Sequence, residues 1–279
     1  MTTSPLIIAF VADLMFTTRI ALVAEHLGYR VEWIESADQV GAPDAEAAPE
    51  RPGEALHGRA GRLFEAIVRR QPALLLFDLN NDAIPWREWI AALKSSAATR
   101  RIPVLCFGPH EDVAVMTAAK AAGADAVLAR SRFTADMPAL FQRYARIPDR
   151  PALDAVCAEP LAALARTGIE RFNRGEFYAA HDALEEAWMD DSGPGRDLYR
   201  GILQVGIAYY QIEQGNYRGA VKMLLRVRQW LDPLPAVCRG VDVAGLRADV
   251  ERVYQALTAL GPERIASFDR ALLGVIVVE

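Results

Sequence analysis

His181 and Glu185 stand four residues apart in a segment of helical spacing, in which Phe177, Ala180, Leu184 and Trp188 recur at intervals of three and four, so their side chains share one helix face. An imidazole and a carboxylate held together in this way can ligate a metal ion or move a proton as a general base. Arg196 and Arg200 form a second pair at the same interval, with Gln204 one turn further. Two guanidiniums so placed can converge on an anionic ligand or on a neighbouring carboxylate. With Trp188, these residues make up the candidate pocket of the second half of the chain. A catalytic zinc takes three protein ligands, and the other histidines, His26, His57 and His110, all fall in the first half, so no metal and no catalytic residue is assigned. The sequence favours a buried polar network in which His181, Glu185 and Arg200 satisfy one another between helices; the rival is an open site.

The elements that must hold these residues are helices. Leu161, Leu164, Ile169 and Phe172 lie near helical spacing before Gly175. The signature Gly175, Glu176, Phe177, Ala180, Leu184 recurs 40 residues later as Gly215, Asn216, Tyr217, Ala220, Leu224. Paired helices use such a pattern as a tight turn, an aromatic wedge and a small residue at the crossing. Two copies are too few for a solenoid, so an all-α bundle is expected over 155–279. A helix near Val243 to Leu260, burying Leu246, Val250, Val253 and Leu257, completes it. Residues 147–154, with Pro148 and Pro151 and no periodicity, read as a linker.

The first half alternates strands and helices. Apolar runs at Leu6–Ala12, Arg30–Ile34, Ala73–Phe77, Val104–Phe107 and Ala126–Ala129 read as strands, and helices are expected at Phe16–Leu27, Leu63–Arg70, Ile84–Leu93, Asp112–Ala122 and Ala135–Tyr144. Five such units imply a parallel sheet covered on both faces, with function at the carboxyl ends of the strands: Asp13, Asp78, Gly108 and Arg130. Neither a Gly-x-Gly-x-x-Gly turn nor a P-loop occurs. Ser36–Arg59, rich in Gly, Pro, Ala and acids, reads as a long disordered loop.

In element order and register, roughly residues 5 to 146 resemble the receiver domain of bacterial response regulators, a flavodoxin-like five-stranded α/β fold, so residues 1–146 are read as one receiver-like domain. The resemblance rests on Asp78, in Leu74-Leu-Leu-Phe-Asp78-Leu-Asn80, where receivers place the phosphate-accepting aspartate, and on Asp13, near the acidic pair that holds magnesium. Receivers carry two acids after the first strand, a Ser or Thr ending the fourth and a Lys ending the fifth. Here one acid is present, Gly108 replaces the hydroxyl and Arg130 replaces the lysine. Magnesium wants several oxygen ligands at near-octahedral distances, so it is expected only if Asp13 and Asp78 retain a receiver site. The resemblance implies a pseudo-receiver, and pairing of two copies through the helices at Asp112–Ala122 and Ala135–Tyr144.

The strings Arg171-Phe-Asn-Arg-Gly-Glu-Phe-Tyr-Ala-Ala-His181-Asp-Ala-Leu-Glu185-Glu-Ala-Trp188, Arg200-Gly-Ile-Leu-Gln204 and Gln214-Gly-Asn216-Tyr-Arg-Gly219-Ala220 resemble the bacterial helical family known as domain of unknown function 309. That resemblance implies a fold and a candidate pocket rather than an activity. Gln211 stands where the family usually has a second histidine.

Of the 279 residues, 52% are hydrophobic and 24% charged, the composition of a folded chain rather than a disordered one. Residues 1–146 carry 16 Lys and Arg against 17 Asp and Glu, and 147–279 carry 15 against 19, so neither half has the basic excess of a phosphate-reading nucleic-acid binder. No apolar run approaches the length that crosses a bilayer. Cys106, Cys157 and Cys238 are far apart and odd in number, so neither a disulfide framework nor a zinc site is indicated and a cytoplasmic location is expected. The expected function is a non-enzymatic signalling or regulatory adaptor, a homodimer with a possible protein partner. The alternative is a small-molecule-binding or metal-dependent hydrolase site using His181, Glu185 and Arg200.

Overall fold

The computed structural model describes residues 4–41 and 58–279, and the chain divides into two compact units, 1–147 and 148–279. Among the described residues of the first unit, five strands, β1 (Leu6–Phe10), β2 (Arg30–Trp33), β3 (Leu74–Asp78), β4 (Val104–Gly108) and β5 (Ala126–Ala129), alternate with helices α1 (Leu14–His26), α2 (Gly58–Arg70), α3 (Trp86–Ser95), α4 (Val113–Ala121) and α5 (Arg130–Tyr144). The strands pair in parallel in the order β2-β1-β3-β4-β5. That is the doubly wound order of flavodoxin-like and receiver folds.

Successive strand side chains point to opposite faces, which is why continuous apolar runs need helices on both sides. Ile8, Phe10, Leu75, Phe77, Val104 and Cys106 pack with Leu63 and Ile67 of α2 and Trp89 and Leu93 of α3. Ile7, Ala9, Leu74, Leu76, Leu105 and Phe107 pack with Ile20 and Ala24 of α1 and Phe133, Met137 and Phe141 of α5. The parallel register brings the carboxyl ends of β1, β3, β4 and β5 to one edge, so Asp13, Asp78, Gly108 and Arg130 meet there.

Most boundaries in this unit shift by one or two residues, and two helix starts shift by five. α5 begins at Arg130, directly after β5, rather than at Ala135; its first turn is too polar to show an apolar period. Of the segment read as a long loop, Ala37–Val40 forms a 3-10 turn and Gly58 and Arg59 open α2, while residues 42–57 lie outside the described residues.

The second unit holds α6 (Arg150–Cys157), α7 (Ala163–Asn173), α8 (Phe177–Asp190), α9 (Arg196–Glu213), α10 (Tyr217–Leu231) and α11 (Val243–Leu260), with a short hairpin of β6 (Val237–Cys238) and β7 (Val241–Asp242). The 40-residue repeat is two helical hairpins. Gly175 and Gly215 turn them at φ +79° and +69°, backbone that a side chain would strain. Phe172, Phe177 and Tyr209 pack ring against ring beneath the first turn.

The linker expected at 147–154 is corrected: α6 starts at Arg150. Asp149 caps it by accepting the Ala152 N–H at 3.1 Å, and Pro151 sits in the first turn, where a missing N–H costs little. The cysteine spacing indicated no disulfide framework, yet one bridge forms. Cys157 at the end of α6 and Cys238 in β6 are bridged across 81 residues of sequence, a separation that leaves no local spacing to read. Cys106 is a buried thiol in β4.

Candidate functional site

At the sheet edge, Asp13 ends the β1 turn as the N-cap of α1, its Oδ1 accepting the N–H groups of Met15 and Phe16 at 2.9 and 3.4 Å. Asp78 is the last residue of β3 and only 2% exposed. Buried carboxylates need a charge partner or strong donors, and Asp78 has both. Arg130 Nη2 donates to its two oxygens at 3.0 and 2.7 Å, and the Asn80 N–H donates at 3.0 Å. Arg130 Nη1 stands 3.9 Å from Asp13 Oδ2, and the guanidinium lies 4.9 Å from the Phe16 ring centroid. At Gly108 a Cβ would meet the Leu79 Cβ at 3.1 Å, so a Ser or Thr there would have to push Leu79 aside.

The four strand-end residues therefore come together, but as a salt bridge. The guanidinium holds the position between the carboxylates that a hard divalent cation would need, and its donors take the Asp78 lone pairs. The residues present do not fit magnesium. They also lack a hydroxyl to follow a transferred phosphoryl group.

In the helical unit His181 and Glu185 do share a face of α8: His181 Nδ1 is 3.8 Å from Glu185 Oε2 and 3.5 Å from Asp182 Oδ1. Their side chains are 30% and 43% exposed, so this pair is half-buried where the network reading expected it buried. The spacing on α8 and α9 was legible, but which face lies outward depends on packing. Arg200 reaches two indoles, its guanidinium 4.9 Å from the Trp188 ring centroid and 3.9 Å from that of Trp230 in α10, and the Arg196 guanidinium lies 4.8 Å from the Trp188 centroid. Charge and ring faces attract, so Arg196, Trp188, Arg200 and Trp230 form a stack that ties α8, α9 and α10. Gln204, one turn beyond Arg200, is 5% exposed. Gln211 accepts from the Asn216 side chain at 2.6 Å and braces the second turn. Among the described residues no three His, Cys, Asp or Glu side chains cluster closely enough to hold a metal ion.

One polar cluster escaped the sequence. Arg239 and Gly240 turn the β6–β7 hairpin, both at positive φ (+53° and +78°), the backbone of a two-residue primed turn. The Arg239 side chain is buried, bonded to the Tyr199 hydroxyl and paired with Asp191 at 2.7 Å and Glu159 at 3.1 Å. It lines a cleft of about 500 Å³ with Pro160, Asp190 and Tyr199. The sole signal in the sequence was a glycine after a residue that follows a cysteine, too common to single out.

Residues 165–223 match the family described as "Domain of unknown function (DUF309)". An uncharacterized protein of Aquifex aeolicus (strain VF5) is 29% identical over 83 residues, which cover 29% of this chain and a quarter (25%) of that protein. Among solved structures, the receiver domain of the sensor histidine kinase PA1611 of Pseudomonas aeruginosa PAO1 is similar at 16% identity and a TM-score of 0.38, covering 50% of this chain and 97% of that one. The chemotaxis response regulator CheY4 of Vibrio cholerae is similar at 15% identity and a TM-score of 0.38, covering 51% and 99%.

Proposed function

We propose that the chain is a non-enzymatic regulatory adaptor: a pseudo-receiver whose aspartate is closed off, joined to a helical domain that binds a ligand or a protein. The observation that carries this is the grip of Arg130 Nη2 on both oxygens of Asp78. A carboxylate whose lone pairs are held by a guanidinium is a poor nucleophile, and that guanidinium stands where the divalent cation of a phosphoryl transfer would have to bind. Incubation with acetyl phosphate and magnesium should leave Asp78 unmodified. Stoichiometric, hydroxylamine-labile phosphate on Asp78 would overturn the proposal.

Self-association as a homodimer through α4 and α5 is part of the same proposal. Light scattering at tens of micromolar tests it, with a strictly monomeric mass the opposing result. A cytoplasmic location is also part of it, and the Cys157–Cys238 bridge is unusual there. Alkylation of thiols at the moment of lysis should find the pair reduced in a cytoplasmic protein and bridged in an exported one.

Small-molecule chemistry at His181 and Glu185 is favoured by one observation, their exposure to solvent. Thermal melts with and without zinc or manganese separate the two functions. No metal-dependent shift is expected; a stabilisation that vanishes in His181→Ala would favour a metal-dependent site.

A further inference from the structure

Beside the Arg–Trp stack lie polar atoms with nothing to bond. Trp188 Nε1, Arg196 Nε and Gln204 Oε1 are all buried and without a hydrogen-bond partner, although Gln204 is itself 95% enclosed. A buried donor or acceptor without a partner costs about 1 to 3 kcal/mol, and folded proteins keep few of them. Two of them, Trp188 Nε1 and Arg196 Nε, stand at the stack itself, and Gln204 lies about two turns further along α9, so together they call for a molecule that completes them. Their chemistry states what kind. Trp188 Nε1 and Arg196 Nε are both N–H donors, and they stand together because the Arg196 guanidinium covers the Trp188 ring at 4.8 Å. The Arg200 guanidinium on the other contact with that ring adds positive charge.

We propose that this face of the helical unit binds a small oxyanion, a carboxylate or phosphate group, with Trp188 and Arg196 as donors, Arg200 as the flanking charge, and Gln204 accepting from a hydroxyl or amino group of the same ligand. Arg196 and Gln204 are eight residues apart on one helix, about 12 Å at 1.5 Å per residue, which sets the reach of a ligand that engages both. The site makes no use of Asp78 and stands whether or not the first unit accepts a phosphoryl group.

The indole N–H signal of Trp188 in a proton–nitrogen spectrum of the full chain reads the site directly, assigned by its loss in Trp188→Phe. Inorganic phosphate and acetate serve as probes, titrated at constant ionic strength with chloride. The expected result is a saturable shift of the Trp188 signal with one or both anions. Arg196→Met, which keeps the aliphatic stem but removes the donor, should weaken binding about tenfold or more, as loss of a charge-assisted hydrogen bond does. Tighter phosphate identifies a phosphorylated ligand, and tighter acetate a carboxylate. A signal that neither anion moves saturably, or an affinity unchanged in Arg196→Met, overturns the proposal and leaves water as the partner of these atoms. If Arg196→Met fails to fold, Arg196→Gln, which keeps a polar side chain without the charge, carries the same comparison.

Discussion

Arg130 is the residue on which the character of the first unit turns. Asp78, buried at the end of β3, is closed by a guanidinium 2.7 Å away, which leaves it no open side for a cation or a phosphoryl donor. Removing one partner of a buried pair leaves the other charge uncompensated, whereas removing both is far milder. Arg130→Ala should therefore destabilise the first unit by about 3 kcal/mol. Asp78→Asn, which leaves a neutral side chain still able to accept the Asn80 N–H, should cost less, and the double variant less than the two singles together. Urea denaturation of the three variants reads this directly, and simple additivity would show that the pair is not coupled.

Among the helices, the end of α10 carries a pH dependence. Burial pushes the Asp232 pKa up to about 6, with Arg228 and Arg247 pulling it back. The folded chain thus holds this proton more tightly than the unfolded one, so the contribution is fully present below about pH 4 and is lost as pH rises through about 6. Stability of the helical unit should fall by on the order of 3 kcal/mol across that window. Asp232→Asn should flatten the profile and be the more stable protein at pH 7. Denaturation at a series of pH values measures both. The turns make a second test. At Gly175 and Gly215 a Cβ would meet nothing within 4 Å, so the cost of alanine there is the left-handed backbone alone, about 1 kcal/mol each. At Gly201 the added Cβ would lie 2.4 Å from Leu231 Cδ2, and overpacking of α9 against α10 should cost about 1 to 3 kcal/mol.

For the molecule as a whole, two separate cores imply two unfolding transitions, and the disulfide belongs to one of them. The bridge closes 81 residues of the helical unit, for which chain entropy gives roughly 4 kcal/mol. Dithiothreitol, or Cys157→Ser with Cys238→Ser, should lower the transition reported by Trp188 and Trp230. The transition reported by Trp89 in the sheet unit should stay where it is. A shift of both by the same amount would mean that the chain unfolds as one cooperative body.

The sequence by itself determined the elements and their class. Apolar runs rich in Ile, Val and Leu mark strands buried on both faces, and the recurrence of Gly175-Glu-Phe at Gly215-Asn-Tyr marks two helical hairpins, because periodicity and turn chemistry are local properties. It also placed Asp13, Asp78, Gly108 and Arg130 at strand ends, since parallel β-α alternation puts those ends on one edge. The start of α6 was less legible: its cap, Asp149, and Pro151 are local, yet the prolines and charges around them mask the period. What only the tertiary structure decided is what these groups do to one another. Whether Arg130 caps solvent or grips Asp78 depends on a contact across 52 residues. Whether Cys157 finds Cys238, and whether His181 faces water while Gln204 is enclosed, depends on how helices pack. Packing is set by the sum of many distant contacts, and no local window of the chain contains that sum.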